Sequence, residues 1–258
     1  MQSIPSTSPI TAANSTPNAR PTGRKVQWRR GWRALRTLIA DPERTDQVIE
    51  FLQCTGGDAD LRNFERFRAA AEGRRLLAER PSLLGTLSDL DALSALPAGT
   101  FGRAYADFMR GEKLDPDGIV MEFRKADTGD REVSPEAEWF FERLDTMHDL
   151  WHVLTGYGRD EAGEAANLAF TLAQFPTRGV SLLVLAAAIV GGVDATLSWQ
   201  RYLLRAWRRG RRTSWLPLAS YEELLPLPLA EVRRRLGIPP AEEVHPDGII
   251  VGNRVFSH

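Results

Sequence analysis

Apolar and polar positions alternate with a helical period along most of the chain. From Val26 to Ile39, Trp28, Trp32, Leu35 and Ile39 recur at steps of three and four among Lys25, Arg29, Arg30, Arg33 and Arg36, the spacing of one helix face. A second helix is expected after Asp41-Pro42, carrying Val48, Phe51 and Leu52 and ending at Gly56-Gly57, and a third from Leu61 to Glu79. Pro81 to Pro97 fits one short helix or two. Thr100 can cap a helix marked by Phe101, Tyr105 and Phe108 that ends near Gly111. Residues 112–133 lack that period and hold Pro116, Gly118 and Gly129, which predicts a long ordered loop. The next helix opens with Ser134 as cap, Pro135 in the first turn and Glu136 behind it, and runs to about residue 155 with Phe140, Phe141, Leu144 and Trp151 on its buried side. Another starts near Asp160 and reaches Phe175, where Pro176 stops it. Val180 to Val190 is nearly all apolar up to Gly191-Gly192 and reads as a buried core helix, since it falls short of the ~20 residues that span a bilayer. Ser198 to Arg212 is amphipathic, with Trp199, Tyr202, Leu203 and Trp207 against Arg201, Arg205, Arg208, Arg209, Arg211 and Arg212. A short helix from Leu229 to Leu236 and a small hairpin within 249–256 complete the pattern. The expected fold class is all-α: one multi-helix domain over residues 24–258 behind a disordered polar tail over residues 1–23.

Charge sharpens this picture more than composition does. Hydrophobic residues make up 43% and charged residues 26% of 258, the balance of an ordinary globular or peripheral protein, and one cysteine excludes a disulfide framework. The net charge of −1 conceals seven basic residues and no acid in the first forty. Residues 1–23 have no apolar run of the secretory kind; a mitochondrial transit peptide fits their composition, and a disordered bacterial tail is the plainer reading. Tryptophan with arginine near 26–39, and a second acid-free basic stretch at 198–212, are candidate contacts for an anionic membrane surface. No nucleic-acid motif accompanies the positive charge, so no nucleic-acid partner is expected.

The chemistry concentrates in one stretch, Met147 to Glu164. His148 and His152 lie one helical turn apart, Asp149 sits between them, and Gly156 and Gly158 break the helix so that Glu164 folds back toward them. Two imidazoles and two carboxylates suit a divalent cation; with Cys54 isolated, the donors are nitrogen and oxygen, open to zinc, manganese, iron or cobalt. The competing reading is packing, because His148 shares a face with Phe140, Phe141, Leu144 and Trp151. A zinc protease would need glutamate beside the first histidine, where Asp149 stands. An HD-type phosphohydrolase would need a histidine upstream, whereas His245 and His258 lie downstream. No nucleophile elbow and no glycine-rich phosphate loop occurs.

The string His148-Asp149-Leu150-Trp151-His152, eleven residues, then Glu164, closely resembles the signature of the ubiquinone (coenzyme Q) biosynthesis protein four family. Ala34 to Pro42, Arg208 to Arg212 and Leu236-Gly237-Ile238 also look like that family's segments, so the resemblance spans about residues 33–240. It implies an all-helical protein, peripheral on the cytoplasmic face of a bacterial inner membrane, or on the matrix side of the mitochondrial inner membrane in a eukaryote. It implies a divalent metal, zinc first, held by His148, Asp149, His152 and Glu164. The implied reaction removes or oxidatively replaces the ring carboxylate of a polyprenyl 4-hydroxy-3-methoxybenzoate, which would make the chain a metal-dependent lyase. Asp149 is then the candidate for proton transfer, with His148, His152 and Glu164 the better ligands. The implied partners are the polyprenylated aromatic lipid, the anionic membrane surface and other ubiquinone-biosynthesis proteins, with a homodimer also open. The apolar run 180–190 gains a second reading as a groove for the isoprenoid tail. Asp145, Thr146, Leu168 and Thr171 depart from the charged residues expected beside the motif and bear on substrate detail. Two rivals remain: a non-catalytic metal- and lipid-binding scaffold that organises ubiquinone-biosynthesis enzymes, and a metal hydrolase with Asp149 as base.

Overall fold

In the computed structural model, Trp28–Ala40 (α1) and Thr45–Thr55 (α2) pair as an antiparallel hairpin, and Ala59–Ala69 (α3), Ala71–Glu79 (α4), Leu83–Ser88 (α5), Leu90–Ser94 (α6) and Phe101–Gly111 (α7) follow. Pro135–Thr155 (α8), Glu161–Gln174 (α9), Arg178–Val190 (α10) and Ser198–Arg212 (α11) come next, with α8, α9 and α11 at the centre. A 3-10 turn at Leu216–Leu218 then leads to Tyr221–Leu224 (α12), Leu229–Leu236 (α13) and Ala241–Val244 (α14). The structure describes residues 26–40, 44–118, 120–121, 134–190 and 198–250. The expected tail at 1–23, the loop beyond residue 121, Gly191-Gly192 and the hairpin beyond residue 250 lie outside them. Among the described residues there is no strand, only an isolated bridge between Thr100 and Pro228, so the expected single all-α domain is what forms.

The main apolar interior is built from Tyr105 and Met109 of α7, Met147, Leu150 and Leu154 of α8, Ala166 and Phe170 of α9, and Leu203 and Ala206 of α11. Helices α9 and α11 run against each other at backbone distance: a Cβ at Gly210 would stand 2.6 Å from the Phe170 carbonyl oxygen. That contact fixes α9, and with it Glu164, onto the rest of the core. The first half of α8 packs separately, Phe140 lying 4.7 Å from the Phe67 ring and 5.6 Å from Phe64. Aromatic pairs at such separations add about 1 kcal/mol each to the area they bury.

Four expectations need correcting. The predicted helix from Leu61 to Glu79 is two helices, broken where Ala70 is extended (ψ 147°). The cause is a close fold-back, since a Cβ at Gly73 would overlap the Phe67 carbonyl oxygen at 1.9 Å. The loop expected from residue 112 contains helical residues at 116–118 and 120–121. The stripe on α1 is split: Ala34 and Leu35 pack with Phe51 and Leu183, while Trp28 and Trp32 point outward and are 59% and 62% exposed. Helix α10 is not a wholly buried core helix, for Val180 and Leu183 are covered but Leu185 and Ile189 are 55% and 62% exposed.

Candidate metal centre

Helix α8 is long enough to carry one side into the aromatic cluster and its last two turns to the middle of the molecule. His148 and His152 sit on those last turns. The chain must then reverse within five residues, and two glycines allow it. Gly156 adopts the left-handed region (φ +76°) that costs an L side chain about 1 kcal/mol, and its N–H closes on the His152 carbonyl at 2.7 Å. Gly163 lies so close to the turn that a Cβ there would be 2.2 Å from the Gly158 carbonyl oxygen. Asp160 caps α9, its carboxylate accepting from the Gly163 N–H at 3.1 Å. Glu164 follows in the first turn of α9 and faces the histidines, as the spacing required.

Three donor atoms converge. His148 Nε2 and His152 Nε2 are 3.2 Å apart, and Glu164 Oε2 is 3.4 Å from His152 Nε2 and 3.8 Å from His148 Nε2. Two ligands each about 2.1 Å from one tetrahedral ion lie about 3.4 Å apart, so the observed separations suit a single shared cation. The tautomer suits it too. His152 Nδ1 lies 2.9 Å from the Tyr157 carbonyl oxygen, which can only accept, so in the neutral ring the proton sits on Nδ1 and the Nε2 lone pair faces His148 and Glu164. Two facing imidazole nitrogens beside a carboxylate repel unless a proton or cation lies among them. The residues present therefore fit a divalent ion.

His152 is buried and stacks on Phe108 at 5.9 Å, while His148 keeps 29% of its side chain accessible. The packing concern raised for His148 thus belongs more to His152. Burial, and then the neighbouring His152 charge, push His148 below its usual range. Burial also opposes charge on His152, but Glu164 outweighs it and the net displacement is upward. For Glu164 the opposing burial is overcome by His152, His148 and Arg159, and its carboxyl is drawn down to about 2. Asp149 stands apart from the three-donor group. Its carboxylate is buried, its Oδ1 has no hydrogen bond, and among the described residues Arg159 Nη1 lies 3.8 Å from that oxygen.

Arg159 was not singled out from the sequence, although it lies within the motif. Its guanidinium is 3.1 Å from Glu164 Oε1 and so bridges both carboxylates. The other contributors come from far along the chain. Phe108 is supplied by α7, and the end of α8 is finished by arginines. Arg233 donates to the carbonyls of Leu154 at 2.8 Å and Val153 at 3.0 Å, and Arg209 donates to that of Thr155 at 2.7 Å. Arg209 was expected on a basic lipid-facing surface; it is instead 1% exposed and serves as a cap. Arg201, Arg208, Arg211 and Arg212 of the same helix do face outward. A helix end leaves carbonyls without partners, and burying this one demanded cationic donors.

Fold and site together define an all-helical protein with a two-histidine, one-glutamate centre at the joint of two core helices. Residues 32–242 match the family of coenzyme Q (ubiquinone) biosynthesis protein Coq4, and the chain belongs to that family. It is 31% identical over 205 residues to a Danio rerio protein described as ubiquinone biosynthesis protein COQ4 homolog, mitochondrial, a match covering 78% of this chain and 72% of that one. It is 30% identical over 159 residues to the corresponding Mycosarcoma maydis protein, covering 59% of this chain and 41% of the fungal one. A solved structure from Nostoc punctiforme superposes with a TM-score of 0.62 at 22% identity, covering 84% of this chain and 100% of that one, and shares the fold.

Proposed function

We propose that the chain removes the ring carboxylate of a polyprenyl 4-hydroxy-3-methoxybenzoate, with or without replacement by oxygen, using a divalent ion held by His148, His152 and Glu164. The observation that carries this reading is the convergence of two imidazole Nε2 atoms and one carboxylate oxygen, with His152 Nδ1 already committed to the Tyr157 carbonyl. Three protein donors leave a position open, the arrangement of catalytic rather than closed structural sites. Zinc is the first choice for this donor set, with manganese, iron and cobalt compatible. Bound there, the ion supplies Lewis acidity toward the oxygens of the aromatic head.

The chain's own groups do the rest. Arg159, partly accessible and paired with Glu164, attracts a substrate carboxylate to the mouth of the site. Half-buried Phe108 and buried His152 exclude water on the inner side. Loss of carbon dioxide leaves an electron pair on the ring carbon that needs a proton, and Asp149, with one oxygen free of hydrogen bonds, is the group we assign to carry it. The lipid requires access from a membrane. No helix of the described residues is long and apolar enough to cross one. The exposed Trp28 and Trp32 among Arg29, Arg33 and Arg36 instead suit an anionic surface, and Leu185 and Ile189 add apolar area that can dip into it.

Purified protein, reconstituted with zinc, manganese, iron or cobalt and given a short-chain polyprenyl benzoate in anionic vesicles, tests this. Release of carbon dioxide that is lost in His148→Ala and Glu164→Ala supports the assignment. Full metal occupancy without turnover would move the chain to the alternative, a metal- and lipid-binding scaffold for its biosynthetic partners. Addition of water to a substrate instead of loss of carbon dioxide would favour a hydrolase.

A further inference from the structure

A second cluster of titratable side chains lies behind the metal centre, and the histidine in it is used by nothing described so far. Its members are Tyr157, Tyr202, Arg209 and His245, all buried. His245 follows α14, its backbone N–H donating to the Ala241 carbonyl at 2.7 Å and its own carbonyl accepting from Gly248 at 2.9 Å. Its Nε2 shares a hydrogen bond of 2.8 Å with the Tyr157 hydroxyl. The ring also packs on Tyr202 at 4.7 Å, and Nδ1 has no hydrogen-bond partner.

Tyr157 is the link. Its backbone carbonyl is the acceptor that fixes the His152 ring, and its side chain, 1% exposed, is pinned at the hydroxyl by His245. The turn that bears it is irregular, with Gly156 in the left-handed region, so helical hydrogen bonds alone do not set the height of that carbonyl. The Arg209 guanidinium lies 5.3 Å from the centre of the Tyr157 ring and holds it from a second side. A buried hydroxyl deprived of its partner moves to find another, and here any movement is passed to the acceptor of a ligand. A phenylalanine at 245 would fill the space but leave the buried Tyr157 hydroxyl without this partner, so it is the histidine nitrogen that ties Tyr157 in place.

We infer that His245 is a positioning residue for the metal centre: through the Tyr157 hydroxyl it holds the Tyr157 carbonyl at the height that aims His152 Nε2 at Glu164 and His148. This rests on the metal reading above. It makes the short segment after Pro240, eighty-eight residues from Tyr157, a part of the site.

The test is binding of cobalt(II) and zinc to the full-length protein, read by the visible absorption bands of bound cobalt and by chelator competition. His245→Ala is expected to weaken binding at least tenfold and to shift the cobalt bands, the loss seen when a partner of a metal-bound histidine is removed. Tyr157→Phe is expected to give the same spectrum, and the double variant to be no worse than the poorer single one, since both break one chain of contacts. His245→Gln, which places an amide near the old Nε2, should recover most of the affinity. Leu76→Ala, a cavity in the other aromatic cluster, controls for lost stability and should leave the spectrum alone. A folded His245→Ala or Tyr157→Phe protein with unchanged affinity and bands would overturn the inference while leaving the metal reading intact. So would a Leu76→Ala protein that weakens binding equally. A wild-type protein that binds neither ion would overturn both.

Discussion

At its first turn α8 is closed by its own neighbours: Ser134 accepts from the Ala137 N–H at 3.3 Å, Pro135 needs no partner, and Glu136 meets the positive end of the helix. At its last turn the work is done from a distance. Gly156 covers the His152 carbonyl, but the carbonyls of Val153, Leu154 and Thr155 are met by Arg233 and Arg209, seventy-nine or eighty and fifty-four residues away. The start of the helix lies near the surface, where a local cap suffices. The end is buried beneath the His148, His152 and Glu164 cluster, where each orphan carbonyl costs about 1–3 kcal/mol, so the fold brings charged donors to it. The candidate site and the long-range caps coincide, since side chains that must keep a fixed geometry need a helix end that does not fray.

The contrast can be broken at its most crowded point. Gly163→Ala drives a methyl into the Gly158 carbonyl at 2.2 Å. Such overpacking against backbone costs about 3 kcal/mol or more, so we expect a sharply lower urea midpoint and loss of ion binding together. Arg209→Met keeps the bulk but removes the donors to Thr155 and Pro239. Its expected cost is about 3 kcal/mol by chemical denaturation, with weakened ion binding as the helix end loosens.

A third test uses pH. Burial, then the charges of Arg209 and Arg205, push His245 down to about 4. The unfolded chain takes up this proton near its ordinary value of about 6.5 and the folded chain does not. The stability involved is therefore fully present above about pH 6.5 and is lost as the pH falls toward 4, at about 1.4 kcal/mol per unit. Urea midpoints measured across that window should fall more steeply in the wild type than in His245→Gln; parallel curves would remove His245 from the account. The smallest effect belongs to the other end of α8. Ser134→Ala should cost about 1 kcal/mol and leave ion affinity unchanged, and a loss of affinity there would show that the two ends are not independent.

The same contrast explains what could be read in advance. His148, His152 and Glu164 were legible because helix pitch and a glycine turn bring them together within seventeen residues. The cap at Ser134 and the limits of α7, α11 and α13 were legible for the same local reason. Phe108, Arg209, Arg233 and His245 were not. A buried arginine that caps a distant carbonyl looks in sequence like any other member of a basic helix, and Arg209 was assigned to a lipid-facing surface on that ground. The break at Ala70 was hidden because Ala69-Ala70-Ala71 favours helix, and only the approach of Gly73 to Phe67 prevents it. Arg159 had a signal that could have found it: a lone cation between two carboxylates inside the motif.

The central claim is that His148, His152 and Glu164 hold one divalent ion, and elemental analysis of the reconstituted, desalted protein beside a His148→Ala, His152→Ala double variant meets it most directly. The account predicts close to one ion per chain in the wild type and none in the variant, with both proteins helical. No ion in the folded wild type, or equal metal in both, would contradict it and return the cluster to packing.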